Sequence, residues 1–189
     1  MLEMGPGDSI ATAIIAASYG AKAILVDVGR FATNDMSSYN DIIVFLKRAG
    51  LNPPDISAAK SIEEILVACN AKYLTDGLKS FSSVETSSID LVFSQAVLEH
   101  IRKHDFVGIM KECFRVLTYE GIASHRIDLK DHLGGSLNNL RFNEYIWESN
   151  FFANSGFYTN RIRFIKMLDL FKESGFASEV INVRRWESL

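Results

Sequence analysis

The chain has 189 residues, of which 48% are hydrophobic and 23% are charged, as expected for a globular protein with a hydrophobic core. Its formal net charge is -3, from 20 Lys and Arg against 23 Asp and Glu, and it contains no dense basic run. Such a chain offers no broad attraction to a phosphate backbone, which argues against a nucleic-acid partner. We expect a single domain over residues 1–189.

The N-terminal residues predict a βαβ unit. Residues 2–4 look like the end of a strand, and the turn Gly5-Pro6-Gly7 leads into an apolar helix over about residues 9–19. Gly20 ends this helix. The run 21–28 is rich in Ile, Leu and Val, which is typical of a parallel strand buried on both faces.

Helices and strands alternate along the rest of the chain. Helices are predicted over residues 38–49, 61–70, 104–117 and 160–174. Strands are predicted over residues 72–75, 89–94, 121–129 and 176–186. The alternation predicts an α/β fold, a Rossmann-like doubly wound and mostly parallel sheet with helices on both faces.

The cysteines and the apolar stretch 10–28 indicate where in the cell the protein is expected. Cys69 and Cys113 are far apart and each lies in an apolar helical pattern, which predicts buried free thiols. The apolar stretch contains Gly20 and Lys22 and follows acidic residues, unlike a signal peptide or a membrane span. We therefore expect a soluble, cytoplasmic protein without a membrane partner.

The loop Glu3-Met4-Gly5-Pro6-Gly7-Asp8 is the first candidate binding site. Its glycines permit a tight turn and close ligand approach, and the helix that follows offers free N–H donors. Ile10 stands where a dinucleotide fingerprint has its third glycine, which disfavours a nicotinamide oxidoreductase. Asp27 ends the second strand, where an acid can accept hydrogen bonds from ribose hydroxyls. The alternative is that the glycines only make a turn and Asp27 only ends a strand.

Two later segments add to this pattern. One is Asp90-Leu91-Val92-Phe93-Ser94-Gln95-Ala96-Val97-Leu98-Glu99-His100, and the other is the helix-to-strand junction over residues 112–121. With the glycine loop and Asp27, they make the sequence similar to the class I S-adenosylmethionine-dependent methyltransferases, in their small-molecule branch. Thr118, Tyr119 and Glu120 depart from the family's R-V-L-K-P-G-G ending, in what we interpret as a turn, while Gly121 is kept. The resemblance covers nearly the whole chain.

The resemblance implies S-adenosylmethionine as the cofactor. It implies that the glycine loop and its glutamate contact the methionine part, that Asp27 binds the ribose, and that the loop containing Asp76 and Gly77 lies near the adenine. Ser94 should follow the fourth strand beside the cofactor. The predicted cofactor-binding residues are Glu3, Gly5, Gly7, Asp27, Asp76 and Ser94.

Methyl transfer requires in-line geometry at the sulfonium carbon and, for a hydroxyl acceptor, a base within hydrogen-bond reach. Candidates are His100, His125, Asp128 and His132. His100 follows the predicted fourth strand and His125 lies on the fifth, so both should sit at the crevice beyond the carboxyl ends of the strands. We predict His100 and His125 as catalytic residues; the alternative for each is a packed or solvated histidine.

Two patterns suggest other classes of site. Gly7-Asp8-Ser9-Ile10 resembles the start of a G-D-S-L hydrolase, but Asp128 and His132 are four residues apart where that family needs three. Ser9 is better interpreted as an early helix residue that bonds at the N-terminus. His100 and His104 could share a helix face, but no third metal ligand is visible, so we predict no metal.

The acceptor side is assigned to residues 129–160, a predicted insertion after the fifth strand. Its aromatic side chains form either an acceptor pocket or a hydrophobic cover on the sheet; they are Phe142, Tyr145, Trp147, Phe151, Phe152, Phe157 and Tyr158. Arg161 and Arg163 are interpreted as helix-surface charge, with binding of an anionic acceptor as the alternative.

The favoured function is methyl transfer to a small-molecule acceptor, with a sugar or metabolite hydroxyl ahead of nitrogen or carbon. The alternative is a non-catalytic cofactor-binding or interaction module. The first predicted strand is very short and only one strand follows the fifth, so we expect a sheet truncated at both ends and a sequence that is a fragment. The pattern does not predict the oligomeric state.

Overall fold

The computed structural model describes residues 1–134 and 136–185, which form two compact units. Unit 1 contains Met1–Ile101 and Arg115–Asp128. Unit 2 contains Arg102–Phe114 and the described residues between 129 and 185. In the part of the chain that is described, no helix is long and apolar enough to cross a membrane.

A five-stranded parallel sheet organises unit 1. Its strands are β1 (Leu2–Met4), β2 (Ile24–Val26), β3 (Lys72–Leu74), β4 (Ile89–Gln95) and β5 (Leu117–Arg126). They lie in the order β3-β2-β1-β4-β5, and every pair is parallel. The order of strands reverses at β1, which makes the crevice beyond the ends of β1 and β4 the position where such sheets bind ligands. The predicted Rossmann-like α/β fold is confirmed.

The helices lie close to their predicted positions. They are α1 (Ala11–Ser18), α2 (Met36–Arg48), α3 (Ile62–Ala68), α4 (Lys103–Val116), α5 (Glu144–Trp147), α6 (Asn150–Ala153) and α7 (Phe164–Glu173). Two 3-10 helices span Gly77–Ser83 and Asn138–Arg141. Helix α7 begins four residues later than the predicted residue 160, because Arg163 is still in extended backbone with φ -71° and ψ 152°.

Side-chain caps fix where α2 and α3 begin. Asp35 accepts a hydrogen bond from the N–H of Ser38, at 3.2 Å, and Ser61 accepts one from the N–H of Glu64, at 3.4 Å. Each cap satisfies a backbone donor that the first turn leaves unpaired, and such a cap contributes about 1 kcal/mol. The cap, and not the apolar pattern alone, therefore sets these boundaries.

The core of unit 1 packs three helices on the sheet. One cluster joins α1 to α2, α3 and β2, and its fully buried members include Ile10, Ile14, Leu25, Ile62 and Ile65. Burial of each such side chain contributes roughly 1.5–3 kcal/mol relative to exposure. The cluster fixes the start of α1, which follows the glycine turn, against β2.

The structure corrects the predicted start of β5. The strand begins at Leu117, not at residue 121, and pairs Leu117 with Ile89 and then Ile122 with Leu91. Between these two pairs, β5 advances by five residues whereas β4 advances by only two, so β5 bulges here. The divergent segment Thr118-Tyr119-Glu120 therefore lies within an irregular strand and does not form a turn. A Cβ on Gly121 would lie 2.9 Å from Leu117 Cδ2 and 3.0 Å from the Ile89 carbonyl oxygen, which explains the glycine.

The predicted last strand, residues 176–186, is wrong over its described part. Residues 176–185 form no strand, and Trp186 lies outside the described residues. Ile181 is 90% exposed and Val183 is 52% exposed. The alternation of apolar and polar residues is compatible with a strand, but a strand also needs a partner edge, which the local pattern cannot supply.

Candidate functional site

The predicted cofactor residues come together at one edge of the sheet in unit 1. Glu3 lies on β1, opposite Leu25 of β2 and Phe93 of β4, and Gly5 and Gly7 follow β1. Asp27 directly follows β2, Asp76 follows β3 by two residues, and Ser94 is near the end of β4. Because all five strands are parallel, their carboxyl ends meet at this edge.

The glycine loop needs both of its glycines, for different reasons. Gly5 has φ +65° and Gly7 has φ +67°, in the left-handed region that other residues rarely adopt. The N–H of Gly5 donates to the carbonyl of Val26 at 2.8 Å, and a Cβ on Gly5 would lie 2.5 Å from Val97 Cγ2. A Cβ on Gly7 would meet no atom within 4 Å. Gly5 thus permits close approach of two loops, while Gly7 borders open space.

Asp27 links β2 to the glycine loop. The side chain is nearly buried; its Oδ2 accepts the N–H of Gly7 at 3.2 Å, and its Oδ1 accepts the N–H of Val28 at 2.7 Å. A carboxylate has about four lone-pair positions, so these two bonds leave it able to accept others. The position and remaining acceptor capacity suit a pair of ribose hydroxyls.

Glu3 has a buried carboxyl oxygen to which no described residue donates a hydrogen bond. Among the residues that the structure describes, nothing donates to its Oε2, while Thr12 hydrogen-bonds to the side chain. Burial raises the pKa of Glu3, the Thr12 hydrogen bond opposes this, and the nearby Asp27 charge adds to it. An unsatisfied buried carboxylate is costly. A cationic amino group at this edge would compensate both the charge and the missing bond, so the residues present fit the amino-acid end of S-adenosylmethionine.

The loop after β3 is held against the end of β2. The N–H of Gly77 donates to the carbonyl of Asp27 at 2.8 Å, and a Cβ on Gly77 would lie 3.3 Å from Val28 Cγ1. Asp76 is exposed, and its backbone N–H donates to Ser80 Oγ at 3.0 Å. The exposed Asp76 side chain and the 79% exposed Val28 thus offer a polar group and an apolar surface next to Asp27.

Ser94 and His125 are paired across β4 and β5. They occupy the same register position, and Ser94 Oγ lies 2.8 Å from His125 Nδ1. Burial lowers the pKa of His125 to about 4, so the imidazole is neutral near pH 7. His100 is exposed and ends a turn after β4, which its N–H closes by donating to the Val97 carbonyl at 2.9 Å. The two predicted catalytic histidines therefore have different environments.

Sequence reasoning did not single out Glu99 beyond its place in the motif. The residue is 1% exposed, and its Oε1 accepts the N–H of Asp128 at 3.1 Å. A charged residue directly after the apolar pair Val97-Leu98 was the available signal. That signal could not identify Asp128 as the hydrogen-bond partner, because Asp128 is 29 residues away in the sequence.

The aromatic stretch forms the interior of unit 2. Trp147 is fully buried, its Nε1 donates to the Thr159 carbonyl at 2.7 Å, and its ring lies 5.7 Å from that of Phe142 and 6.0 Å from that of Tyr158. Phe151 is 81% exposed, in contrast. The stretch thus supplies its own core and also presents apolar side chains to solvent.

Arg161 is not on a helix surface, which corrects the interpretation from sequence. It precedes α7, and its guanidinium donates to the carbonyls of Asn139 and Phe142, at 3.0 and 2.8 Å, and to the carboxylate of Glu144 at 2.8 Å. The guanidinium carbon lies 5.1 Å from the centre of the Trp147 ring. Because several donors are engaged within unit 2, Arg161 organises this segment.

Comparison with protein families gives the class of this site. Residues 55–124 match the model of the family described as a methyltransferase domain. The match contains Asp76, Ser94, Glu99 and His100, and begins after the glycine loop and Asp27. No curated protein matches the chain. Residues 55–124 are therefore similar to a methyltransferase domain of a family whose cofactor is S-adenosylmethionine.

Proposed function

We propose that the chain transfers the methyl group of S-adenosylmethionine to a small-molecule acceptor, with a hydroxyl of a sugar or another metabolite as the accepting group. The observation that carries the proposal is the convergence of three groups at one sheet edge: the left-handed glycines, the Asp27 carboxylate, and a buried Glu3 oxygen for which the described residues supply no hydrogen-bond donor. We place this reaction in the cytoplasm. The net charge of -3 supports a small acceptor over a nucleic acid.

The cofactor assignments follow the chemistry of each group. Glu3 pairs with the cationic amino group, and the loop of Gly5 and Gly7 lets the methionine part approach the backbone. Asp27 accepts hydrogen bonds from the ribose hydroxyls. Asp76 lies near the adenine, and Ser94 lies beside the cofactor at the end of β4. The bound cofactor supplies an electrophilic methyl carbon on a positively charged sulfur.

The catalytic roles of the two histidines differ. With S-adenosylmethionine bound, transfer of its methyl group from sulfur to a hydroxyl oxygen would require the hydroxyl proton to leave. His125 is neutral, and Ser94 fixes the orientation of its ring through Nδ1. Its depressed pKa makes it a weak base, so it orients the hydroxyl as a hydrogen-bond partner. His100 is exposed, and we assign it as the acceptor of the hydroxyl proton.

The acceptor is recognised by residues 129–160, within a single methyltransferase-like domain over residues 1–189. A surface groove in unit 2 is lined by Glu144, Tyr145, Glu148, Ser149 and Asn150. Its carboxylates, hydroxyls and amide suit a hydroxyl-rich molecule, and the 89% exposed Tyr145 offers an aromatic face for a sugar ring.

Calorimetric titration with S-adenosylhomocysteine tests the cofactor site. We expect wild-type protein to bind this product, Asp27→Ala to bind it at least about tenfold more weakly, and Asp41→Ala, which removes an exposed acid on α2, to bind normally. Circular dichroism checks that each variant is folded. Absence of binding, or tighter binding of NADH, would contradict the proposal.

A screen for the acceptor follows, with methyl-labelled S-adenosylmethionine and panels of sugars, other hydroxyl compounds and amines. Transfer to a hydroxyl compound supports the full proposal. Binding of the cofactor without transfer to any acceptor would contradict the enzymatic part and favour a non-catalytic cofactor-binding module.

A further inference from the structure

Glu99 carries a carboxyl group where burial makes one costly. The residue is 1% exposed and follows the fully buried Leu98. Its Oε2 is buried, and no group among the described residues hydrogen-bonds to it. Burial raises the pKa of Glu99, partly opposed by backbone hydrogen bonds and by the charge of His100. Since an apolar side chain would avoid this cost, packing alone does not account for a glutamate at this position.

The Glu99 side chain connects the segments that follow β4 and β5, beyond the last backbone pair of the two strands. The last register pair is Gln95 with Arg126, and the N–H of Ala96 donates to the Arg126 carbonyl at 2.8 Å. Strand β4 ends at Gln95 and strand β5 ends at Arg126. Past these ends, the Asp128 N–H donates to Glu99 Oε1 at 3.1 Å, and this bond links the segments that follow the two strands.

The turn that carries Glu99 also supports the glycine loop. The turn over residues 97–100 is closed by the His100 N–H bonding the Val97 carbonyl. Val97 packs so closely on Gly5 that a single methyl group at Gly5 would overlap its Cγ2. Ala96, just before the turn, holds a left-handed φ of +54°, which costs about 1 kcal/mol for a non-glycine residue and must be stabilised by its surroundings.

We infer that Glu99 is a positioning residue of the cofactor site: its bond to Asp128 fixes the turn over residues 97–100 and, through Val97, the glycine loop at Gly5. The inference rests on the proposed function, because the glycine loop is taken as the cofactor loop. Glu99 does not itself touch the cofactor; it acts through Val97.

Two substitutions of similar size separate this role from packing. Glu99→Gln keeps an oxygen that can accept the Asp128 N–H, whereas Glu99→Met fills the space without an acceptor. We expect the Gln variant to bind S-adenosylhomocysteine within about threefold of wild type, and the Met variant to bind at least about tenfold more weakly. Amide hydrogen exchange at Asp128 should accelerate at least about tenfold in the Met variant alone.

Several outcomes would overturn the inference. A folded Met variant with wild-type affinity removes the link between Glu99 and the cofactor loop, and a Gln variant as weak as the Met variant removes the acceptor role. If wild-type protein does not bind S-adenosylhomocysteine, the proposed function fails and Glu99 has no cofactor to position. Exchange at Asp128 then still shows whether the Glu99 contact exists, so the two failures are distinguishable.

Wild-type protein provides a test that needs no variant. If Glu99 couples Asp128 to the cofactor loop, S-adenosylhomocysteine should slow exchange at the Asp128 amide more than at the Asn70 amide, which bonds the Val67 carbonyl at the end of α3. Equal slowing at both amides, or no slowing at Asp128, would overturn the inference.

Discussion

Ser94 Oγ and His125 Nδ1 lie 2.8 Å apart, at paired positions on β4 and β5, the strand pair beside the switch point of the sheet. The serine is buried, and burial lowers the pKa of the histidine to about 4. A neutral imidazole in this place can accept or donate one hydrogen bond without introducing a charge. The pair therefore links a proposed cofactor residue directly to a proposed catalytic residue.

The depressed pKa of His125 predicts loss of stability in acid. The unfolded chain takes up a proton near the ordinary pKa of 6.5, whereas the folded protein takes it up only near 4. The free energy of unfolding should therefore fall as the pH is lowered from 6.5 towards 4, since the unfolded state binds more protons there. Because His125 is only partly buried, we expect it to account for a loss of about 1–2 kcal/mol in the free energy of unfolding between pH 7 and pH 5.

Urea denaturation at these two pH values measures that loss, with His125→Asn as the comparison. The asparagine cannot titrate but keeps a polar group near Ser94. The stability difference between wild type and variant should be larger at pH 7 than at pH 5. A pH dependence that is the same in both proteins would show that His125 is not the group responsible.

The two glycines of the loop should respond differently to a methyl group. Gly7→Ala meets only the strain of its left-handed backbone, about 1 kcal/mol. Gly5→Ala adds the overlap with Val97 Cγ2 and should lose about 2–4 kcal/mol of unfolding free energy. Thermal and urea unfolding measure both variants.

The overlap itself is tested by adding Val97→Ala to Gly5→Ala. Shortening the valine makes room for the new methyl group, so the double variant should be more stable than the sum of the single changes by about 1 kcal/mol or more. Simple additivity would mean that the backbone conformation of Gly5, and not its contact with Val97, accounts for the loss.

The cysteines should be inert in the folded protein. Burial raises the pKa of Cys69 to about 11 and that of Cys113 to about 12, and neither forms a disulfide with another described residue. Because the thiolate is the reactive form, a disulfide reagent at pH 8 should label almost none of the native protein within minutes, and both thiols after denaturation. Rapid labelling of either cysteine in the native state would contradict its burial.

Local patterns were enough to predict most of the fold. The apolar runs at β2 and β4 and the helical spacing of α2 and α4 are properties of neighbouring residues, so a sequence shows them. The strand-end position of Asp27 followed as well, since parallel strands bring their carboxyl ends together. These features were sufficient to predict the parallel sheet and the edge at which the proposed cofactor-binding residues lie.

Contacts between distant residues could not be predicted in the same way. The early start of β5 depends on how Leu117 and Ile122 pair with β4, and the bond between Glu99 and Asp128 depends on where two strands end in space. Arg161 looked like a helix-surface charge because its position just before α7 and its carbonyl partners are set by tertiary structure. Side-chain periodicity carries no information on such partners.

Arg161 should be essential to the stability of unit 2. Its side chain is 9% exposed, bonds the Asn139 and Phe142 carbonyls and Glu144, and covers the Trp147 ring. Arg161→Lys cannot reproduce the planar set of donors and should lower the free energy of unfolding by about 2–4 kcal/mol. Denaturation followed by circular dichroism measures this loss.

Arg163→Lys is the matched control for Arg161→Lys, because it makes the same change at an exposed arginine two residues away. Its substitution should change the free energy of unfolding by no more than about 0.5 kcal/mol. If the Arg161 interaction with Trp147 holds unit 2 together, only the Arg161 variant should also show altered tryptophan fluorescence before global unfolding. Equal effects at both positions would contradict a special role for the buried contacts of Arg161.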